Sequence, residues 1–291
     1  MIDLFKRPEP QKEAQSATSI CVWGPAGSPG KTTIAVNLAS ELALEGHRVL
    51  LIDLDTYAPS IADHFGLTDR QPGLAAAMRL VGQGRLDESQ INRLSTSFDT
   101  GKGSLTVLCG LGSVSRWPEV TDAKTKALVE IAMTFFDFVV LDVASTLEGS
   151  IRQIGGAIDR NSATLAALQV ATKTIATFSA DTVGVGRLVD AYEQLTTLTE
   201  EPLLLANRFR VTALGPKAKN QIEDAVLQLC RREVDSFVPL DAEGCDRALL
   251  EAVPLAMIKR SSKARQAIAQ FARINFAAQA LPDALRVAKL V

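Results

Sequence analysis

Short apolar runs recur along this chain and alternate with longer amphipathic stretches. The runs cover residues 19–23, 49–52, 105–108, 138–141, 174–178, 203–206 and 237–238. Most are apolar at consecutive positions, the pattern of strands buried on both faces. A first helix is expected near Lys31, with Ile34, Leu38 and Leu42 along one face. Further helical periods cover 73–83, 123–134, 183–197, 216–231 and 263–280. Strands alternating with helices imply right-handed βαβ units. The expected fold class is therefore α/β, a mostly parallel sheet of about seven strands with helices on both faces.

The alternation gives the domain organisation. Residues 1–17 are polar, carry Pro8 and Pro10, and show no period, so they read as a flexible arm. Residues 18–280 read as one domain and 281–291 as a tail. Composition excludes several classes. The net charge of −2 gives no global attraction to nucleic acid or anionic membrane. Cys21, Cys109, Cys230 and Cys245 lack metal-ligand or redox-motif spacing. His47 and His64 are the only histidines, too few for a histidine-rich metal site. No stretch reaches the roughly 20 apolar residues of a membrane span, and the N-terminus lacks a secretory core. A cytoplasmic location is expected.

In open α/β sheets, ligands bind beyond the carboxyl ends of strands, and several such ends carry chemistry here. The first run leads into Gly24-Pro25-Ala26-Gly27-Ser28-Pro29-Gly30-Lys31-Thr32-Thr33. A Gly-rich turn between strand and helix lets backbone N–H groups and the helix N-terminus cradle phosphates. Lys31 can bridge outer phosphates, and Thr32 can place its hydroxyl on Mg²⁺. The spacing departs from the strict motif, because its first glycine position holds Pro25. Pro29 also lacks an N–H, removing one donor. The second run ends in Asp53-Leu54-Asp55, whose carboxylates point to one side of an extended segment. One suits the neighbourhood of Mg²⁺, and the other can orient an attacking water. The run at 138–141 delivers Asp142, a further Mg²⁺-side carboxylate.

With these elements in this order, the chain resembles the MinD/ParA superfamily of P-loop ATPases. Ala26-Gly27-Ser28-Pro29-Gly30-Lys31-Thr32-Thr33 is similar to the family's loop. Leu51-Ile52-Asp53-Leu54-Asp55 is similar to its switch I strand, and Phe136-Asp137-Phe138-Val139-Val140-Leu141-Asp142 to its Walker B strand. The resemblance implies the three-layer P-loop NTPase fold, with ATP or ADP and Mg²⁺ as cofactors. It places phosphates on Gly27, Ser28, Pro29, Gly30, Lys31, Thr32 and Thr33, and Mg²⁺ near Thr32, Asp53 and Asp142. It makes Asp55 the water-activating carboxylate, with Lys31 beside it in catalysis. Asn207 matches the family's adenine contact, and Pro239 and Leu240 its base-flanking segment. An ATP-dependent homodimer and slow ATP hydrolysis are implied as well. The family's signature lysine falls on Ala26, so a replacement cation must come from elsewhere; Arg116 and Arg187 are the candidates.

Local features resemble the CpaE/TadZ branch, associated with pilus assembly and polar localisation. They are Leu108-Cys109-Gly110-Leu111, Arg116-Trp117-Pro118-Glu119, the stretch 179–188, and Asn207-Arg208-Phe209-Arg210. The leading functional expectation is a nucleotide-dependent switch acting on a protein of a pilus or secretion assembly. A non-hydrolysing scaffold, nucleotide-bound or empty, and a ParA-type DNA partition ATPase are the alternatives. The basic run Lys259-Arg260-Ser261-Ser262-Lys263-Ala264-Arg265 is the candidate DNA contact. The weakly amphipathic tail 281–291 is the candidate contact to the inner face of the membrane. Trp117 reads as a half-buried loop residue or a partner anchor.

Overall fold

Each apolar run forms a strand, and the strands assemble into an eight-stranded sheet. The structure, a computed structural model, describes residues 17–67, 73–149, 159–258 and 261–276. Nearly all of the expected arm and the whole 281–291 tail lie outside these residues, as do Lys259 and Arg260. The strands are β1 (Thr18–Trp23), β2 (Arg48–Asp53), β3 (Thr96–Asp99), β4 (Ser104–Leu108), β5 (Phe138–Asp142), β6 (Lys173–Ser179), β7 (Leu203–Phe209) and β8 (Ser236–Pro239). Their order is β3-β4-β2-β5-β1-β6-β7-β8. The pairing is parallel throughout, except between β3 and β4.

The helices are α1 (Lys31–Leu44), α2 (Ile61–His64), α3 (Gly73–Gly82), α4 (Glu88–Leu94), α5 (Asp122–Met133), α6 (Ser162–Val170), α7 (Thr182–Thr196), α8 (Ala218–Cys230), α9 (Ala242–Glu251), α10 (Leu255–Ile258) and α11 (Lys263–Asn275). Alternation along the strands divides the core between two faces. Ile20 and Val22 of β1 pack with Ile34, Leu38 and Leu42 of α1 and with Ile268 and Phe271 of α11. Cys21 and Trp23 belong to the opposite face, with α3, α5, α6, α7 and α8. Burying an aliphatic side chain such as Leu38 contributes roughly 1.5–3 kcal/mol relative to exposure, which holds α1 against the sheet.

The sequence pattern misses three kinds of element. Strand β3 is an edge strand whose residues alternate between exposed and half-buried, and Phe98 is its one apolar residue. Helix α6 is apolar on most sides because it is buried between neighbours, so it shows little 3.6-residue period. Helices α4 and α9 are short and start from Asp87 and Asp241, whose side chains accept Gln90 and Gly244 N–H groups. The last helix ends at Asn275, and residues 277–280 of the expected span lie outside the described residues.

On either side of β1 the chain winds towards opposite edges of the sheet: β2 and β4 lie beyond β5, and β6, β7 and β8 follow in turn on the other side. Such a reversal opens a crevice beyond the strands' carboxyl ends.

Candidate nucleotide site

The loop after β1 turns through residues with positive φ: Gly27 at 102°, Ser28 at 54° and Gly30 at 92°. Ser28 holds this left-handed shape at a cost of about 1–2 kcal/mol, a strain typical of functional loops. Gly30 is the N-cap of α1, and a Cβ there would collide with the Asn207 amide. The close approach and the positive φ both require glycine. Gly30 supplies no side-chain cap to α1, so the first-turn N–H groups of that helix keep the free donors that anion binding needs.

Asp53 and Asp142 close their strands side by side, since they are directly paired in the parallel register of β2 and β5. Both are 1% exposed. Asp53 accepts N–H bonds from Asp55 (3.2 Å) and Ile61 (3.0 Å). Asp142 Oδ2 accepts the Thr32 hydroxyl at 2.6 Å, whereas its buried Oδ1 has no hydrogen-bond partner. Burial pushes the Asp142 carboxyl up to about 7; Thr32 and Lys31 offset part of this rise, and Asp55 adds to it. Asp53 is likewise raised well above its ordinary value, first by burial and then by Asp142. Two buried acids and an orphaned oxygen beside a threonine hydroxyl fit a hard divalent cation with oxygen ligands. Mg²⁺ held by Thr32, Asp142 and the Asp53 side would neutralise phosphate charge when bound.

Lys31 Nζ donates to Ser145 Oγ at 2.8 Å. Ser145 also accepts the Trp23 indole N–H at its backbone oxygen, at 3.0 Å. The sequence reading missed Ser145; its one available signal was its place just after the Asp142 strand end.

The extended geometry expected for Asp53 and Asp55 stops at the end of β2, at Asp53. Asp55 sits in the following turn, where Oδ1 accepts Tyr57 and Ala58 N–H groups at 2.8 and 2.9 Å. A local Asx-type turn competes with strand continuation. The turn is clamped from the side. Tyr57 donates its hydroxyl to Asn161 Oδ1 at 2.8 Å, and Arg160 lies over the Tyr57 ring at 4.0 Å. Arg160 Nη2 donates to Thr56 O at 2.8 Å. Nothing in the chain's spacing indicates this clamp, because Arg160 and Asn161 are far from Tyr57 in sequence.

Asn207 is buried and donates to Pro29 O at 2.8 Å, while its Oδ1 accepts the Arg208 N–H. It pins the phosphate loop to the end of β7. Gly30, Thr33, Asn207, Pro239 and Leu240 surround one cavity of about 290 Å³, where a nucleoside could lie against the loop. Asn207→Ala is expected to cost about 1–3 kcal/mol, because Pro29 O loses its partner. Urea unfolding of the variant checks this.

The two candidate replacement cations differ sharply in position. Arg116 is bound to Glu119 through Nε and Nη2, at 2.7 and 3.0 Å. Arg187 instead donates from Nη1 to Ala26 O at 3.1 Å, so it rests on the phosphate loop. Trp117 is half-buried against the core beside Arg116. Within the basic run, Arg265 pairs with the buried Glu41 at 2.7 Å, which holds that guanidinium against α1.

The sheet order, loop and strand-end acids coincide with a matching family model. The CobQ/CobB/MinD/ParA nucleotide binding domain covers residues 20–249. The chain belongs to this family. One curated relative, the iron-sulfur cluster carrier protein of Aquifex aeolicus (strain VF5), is 28% identical over 124 residues. That match takes in 43% of this chain and 32% of the relative. The septum site-determining protein MinD of Bacillus subtilis (strain 168) is 28% identical over 193 residues, 66% of this chain and 65% of that one. The chain thus spans about a third of the length of the carrier protein and under two thirds of this MinD. The solved structure of MinD from Pyrococcus horikoshii OT3, complexed with Mg-ADP, superposes with a TM-score of 0.68 at 18% identity. It covers 90% of this chain and 97% of that one, and shows the shared fold. The expected superfamily and α/β fold are thereby established; the sheet has eight strands where about seven were expected. Among the described residues no helix is long and apolar enough to cross a membrane.

Proposed function

We propose that this protein is an ATP-dependent switch that binds ATP with Mg²⁺, closes as a homodimer and hydrolyses ATP slowly. The observation that carries the proposal is the register pairing of Asp53 with Asp142 beneath the loop, with Asp142 Oδ1 unpartnered. In this reading the Gly27–Thr33 loop binds phosphates, Lys31 bridges the outer ones, and Asn207, Pro239 and Leu240 border the base. Asp55 orients water, and the Tyr57–Asn161 clamp holds its turn in place. The local likeness to the CpaE/TadZ branch supports a protein partner in a pilus or secretion assembly, positioned by cycles of closing and release.

Ala26 and Pro29 favour a second reading, a nucleotide-bound scaffold without turnover. Light scattering after size exclusion, with and without ATP and Mg²⁺, together with phosphate release, separates the two. The switch predicts an ATP-dependent dimer and measurable turnover that falls by about 10²-fold or more in Asp55→Ala. A wild-type dimer with no phosphate release supports the scaffold. Absence of nucleotide binding at millimolar ATP refutes the switch and the nucleotide-bound scaffold, and leaves a scaffold with an empty site.

A further inference from the structure

A cavity of about 270 Å³ lies at the other end of the sheet from the nucleotide site. Leu44 of α1, Phe65 after α2, Phe98 of β3, Leu105 of β4, Val253 and Met257 form its mostly apolar wall. Leu105 is the second residue of β4, whereas Asp53 and Asp142 stand at the carboxyl ends of their strands. Phe65 and Phe98 stack with ring centroids 5.2 Å apart, and Met257 on the rim is 73% exposed. None of these residues borders the cavity of Asn207 and Pro239. An open apolar hollow leaves its wall atoms without packing partners.

The described chain ends close to this cavity. Helix α11 stops at Asn275, and Phe276 lies edge-on to Phe138 with ring centroids 6.3 Å apart. Arg273 pairs with Glu45 at 3.3 Å, next in the chain to Leu44 on the cavity wall. Phe138, Val49 and Leu105 are aligned in the sheet register, on the face covered by α1. Two strand spacings therefore separate Leu105 from Phe138, about 10 Å. Residues 277–291 follow Phe276 and lie outside the described residues. A segment of that length reaches about 22 Å at helical rise and about 50 Å extended, so the cavity is within its range either way. It carries Leu281, Leu285, Val287, Leu290 and Val291, with Arg286 and Lys289 as cations. Asp99, an exposed carboxylate on the cavity rim, complements those cations.

We propose that this cavity is the docking site of the chain's own segment 277–291, with Leu281 and Leu285 entering between Leu44, Phe65 and Phe98. The tether holds the segment beside the cavity at an effective concentration on the order of millimolar, so modest apolar burial suffices for docking. Docked, these leucines are withheld from lipid and from other proteins.

The test is methyl NMR of the full chain with isotope-labelled methionines, Met78 and Met257 among them. A nitroxide is attached at Leu290→Cys in a Cys245→Ser background, since Cys21, Cys109 and Cys230 are buried. Docking is expected to erase the Met257 signal and to spare Met78, which is buried on the opposite face. Adding Leu281→Asp/Leu285→Asp should restore the Met257 signal, with thermal unfolding unchanged. Full Met257 intensity in the nitroxide-bearing parent overturns the proposal; immobilisation of that nitroxide by phosphatidylglycerol vesicles would then assign the segment to lipid. Signal loss that persists in the double aspartate variant also overturns it, because the leucines are then not what enters. So does loss in a mixture of isotope-free nitroxide chains with isotope-labelled chains lacking the nitroxide, where the segment belongs to a second copy. Nucleotide enters none of these readouts, so the outcome is independent of the switch reading.

Discussion

Lys31→Ala is expected to weaken ATP binding by about 10- to 100-fold while leaving the fold intact. Lys31 is only half-buried, and within the protein its ammonium makes one side-chain bond, to Ser145. Losing it therefore costs little stability, about 1 kcal/mol or less. Toward a phosphate chain, under the proposed function, the same ammonium would make charge-assisted bonds, each worth roughly 1.5–3 kcal/mol. Trp23 supplies a convenient signal, because its indole N–H is bound to Ser145 O. A fluorescence titration with ATP, paired with thermal unfolding, reads both quantities. Unchanged affinity would remove Lys31 from the phosphate site.

Asp142→Asn is expected to have opposite effects on stability and on ligand binding. In the metal-free protein, burial holds Asp142 at about 7, against an ordinary value of 3.8. Between these pH values the folded chain keeps a proton that the unfolded chain has released. Stability from this group is therefore present at low pH and declines as pH rises from about 4 to about 7, then levels off. The full rise corresponds to about 4 kcal/mol as an upper bound. Asparagine carries no charge at any of these pH values and still offers an oxygen to the Thr32 hydroxyl. Above pH 7 the variant is expected to be more stable than the parent by on the order of 2 kcal/mol, with a flatter pH dependence. It should simultaneously lose Mg²⁺-dependent nucleotide binding. Urea unfolding across pH 5 to 8, without metal, checks the first part, and nucleotide titration with and without Mg²⁺ the second. A variant less stable than the parent at pH 8 would show that the carboxylate is not under electrostatic stress. Sites that trade stability for function commonly behave in this way.

Much of the fold could be read from the chain because it rests on local chemistry. Consecutive apolar residues at 49–52 and 138–141 need cover on both faces, and so become central strands. The turn at 24–30 needs residues that tolerate positive φ, and it supplies two of them as glycine. Acids at strand ends and a Lys-Thr pair at a helix start are likewise visible one segment at a time. Strand β3 and helix α6 were not legible, because a half-exposed edge and a mostly buried, apolar helix both lack the contrast that periodicity requires.

The chain by itself thus determined which segments become strands and helices, and which chemical groups stand at their ends. Tertiary structure decided what those groups meet. Strand order placed Asp53 against Asp142, converting two ordinary carboxylates into a buried pair with raised pKa values. It also chose Arg187 over Arg116 as the arginine resting on the loop, and tied Lys31 to Ser145. The physical reason is range. Propensity and periodicity act over a few neighbouring residues, whereas burial and Coulomb interaction depend on distance in space, which only the packed sheet sets.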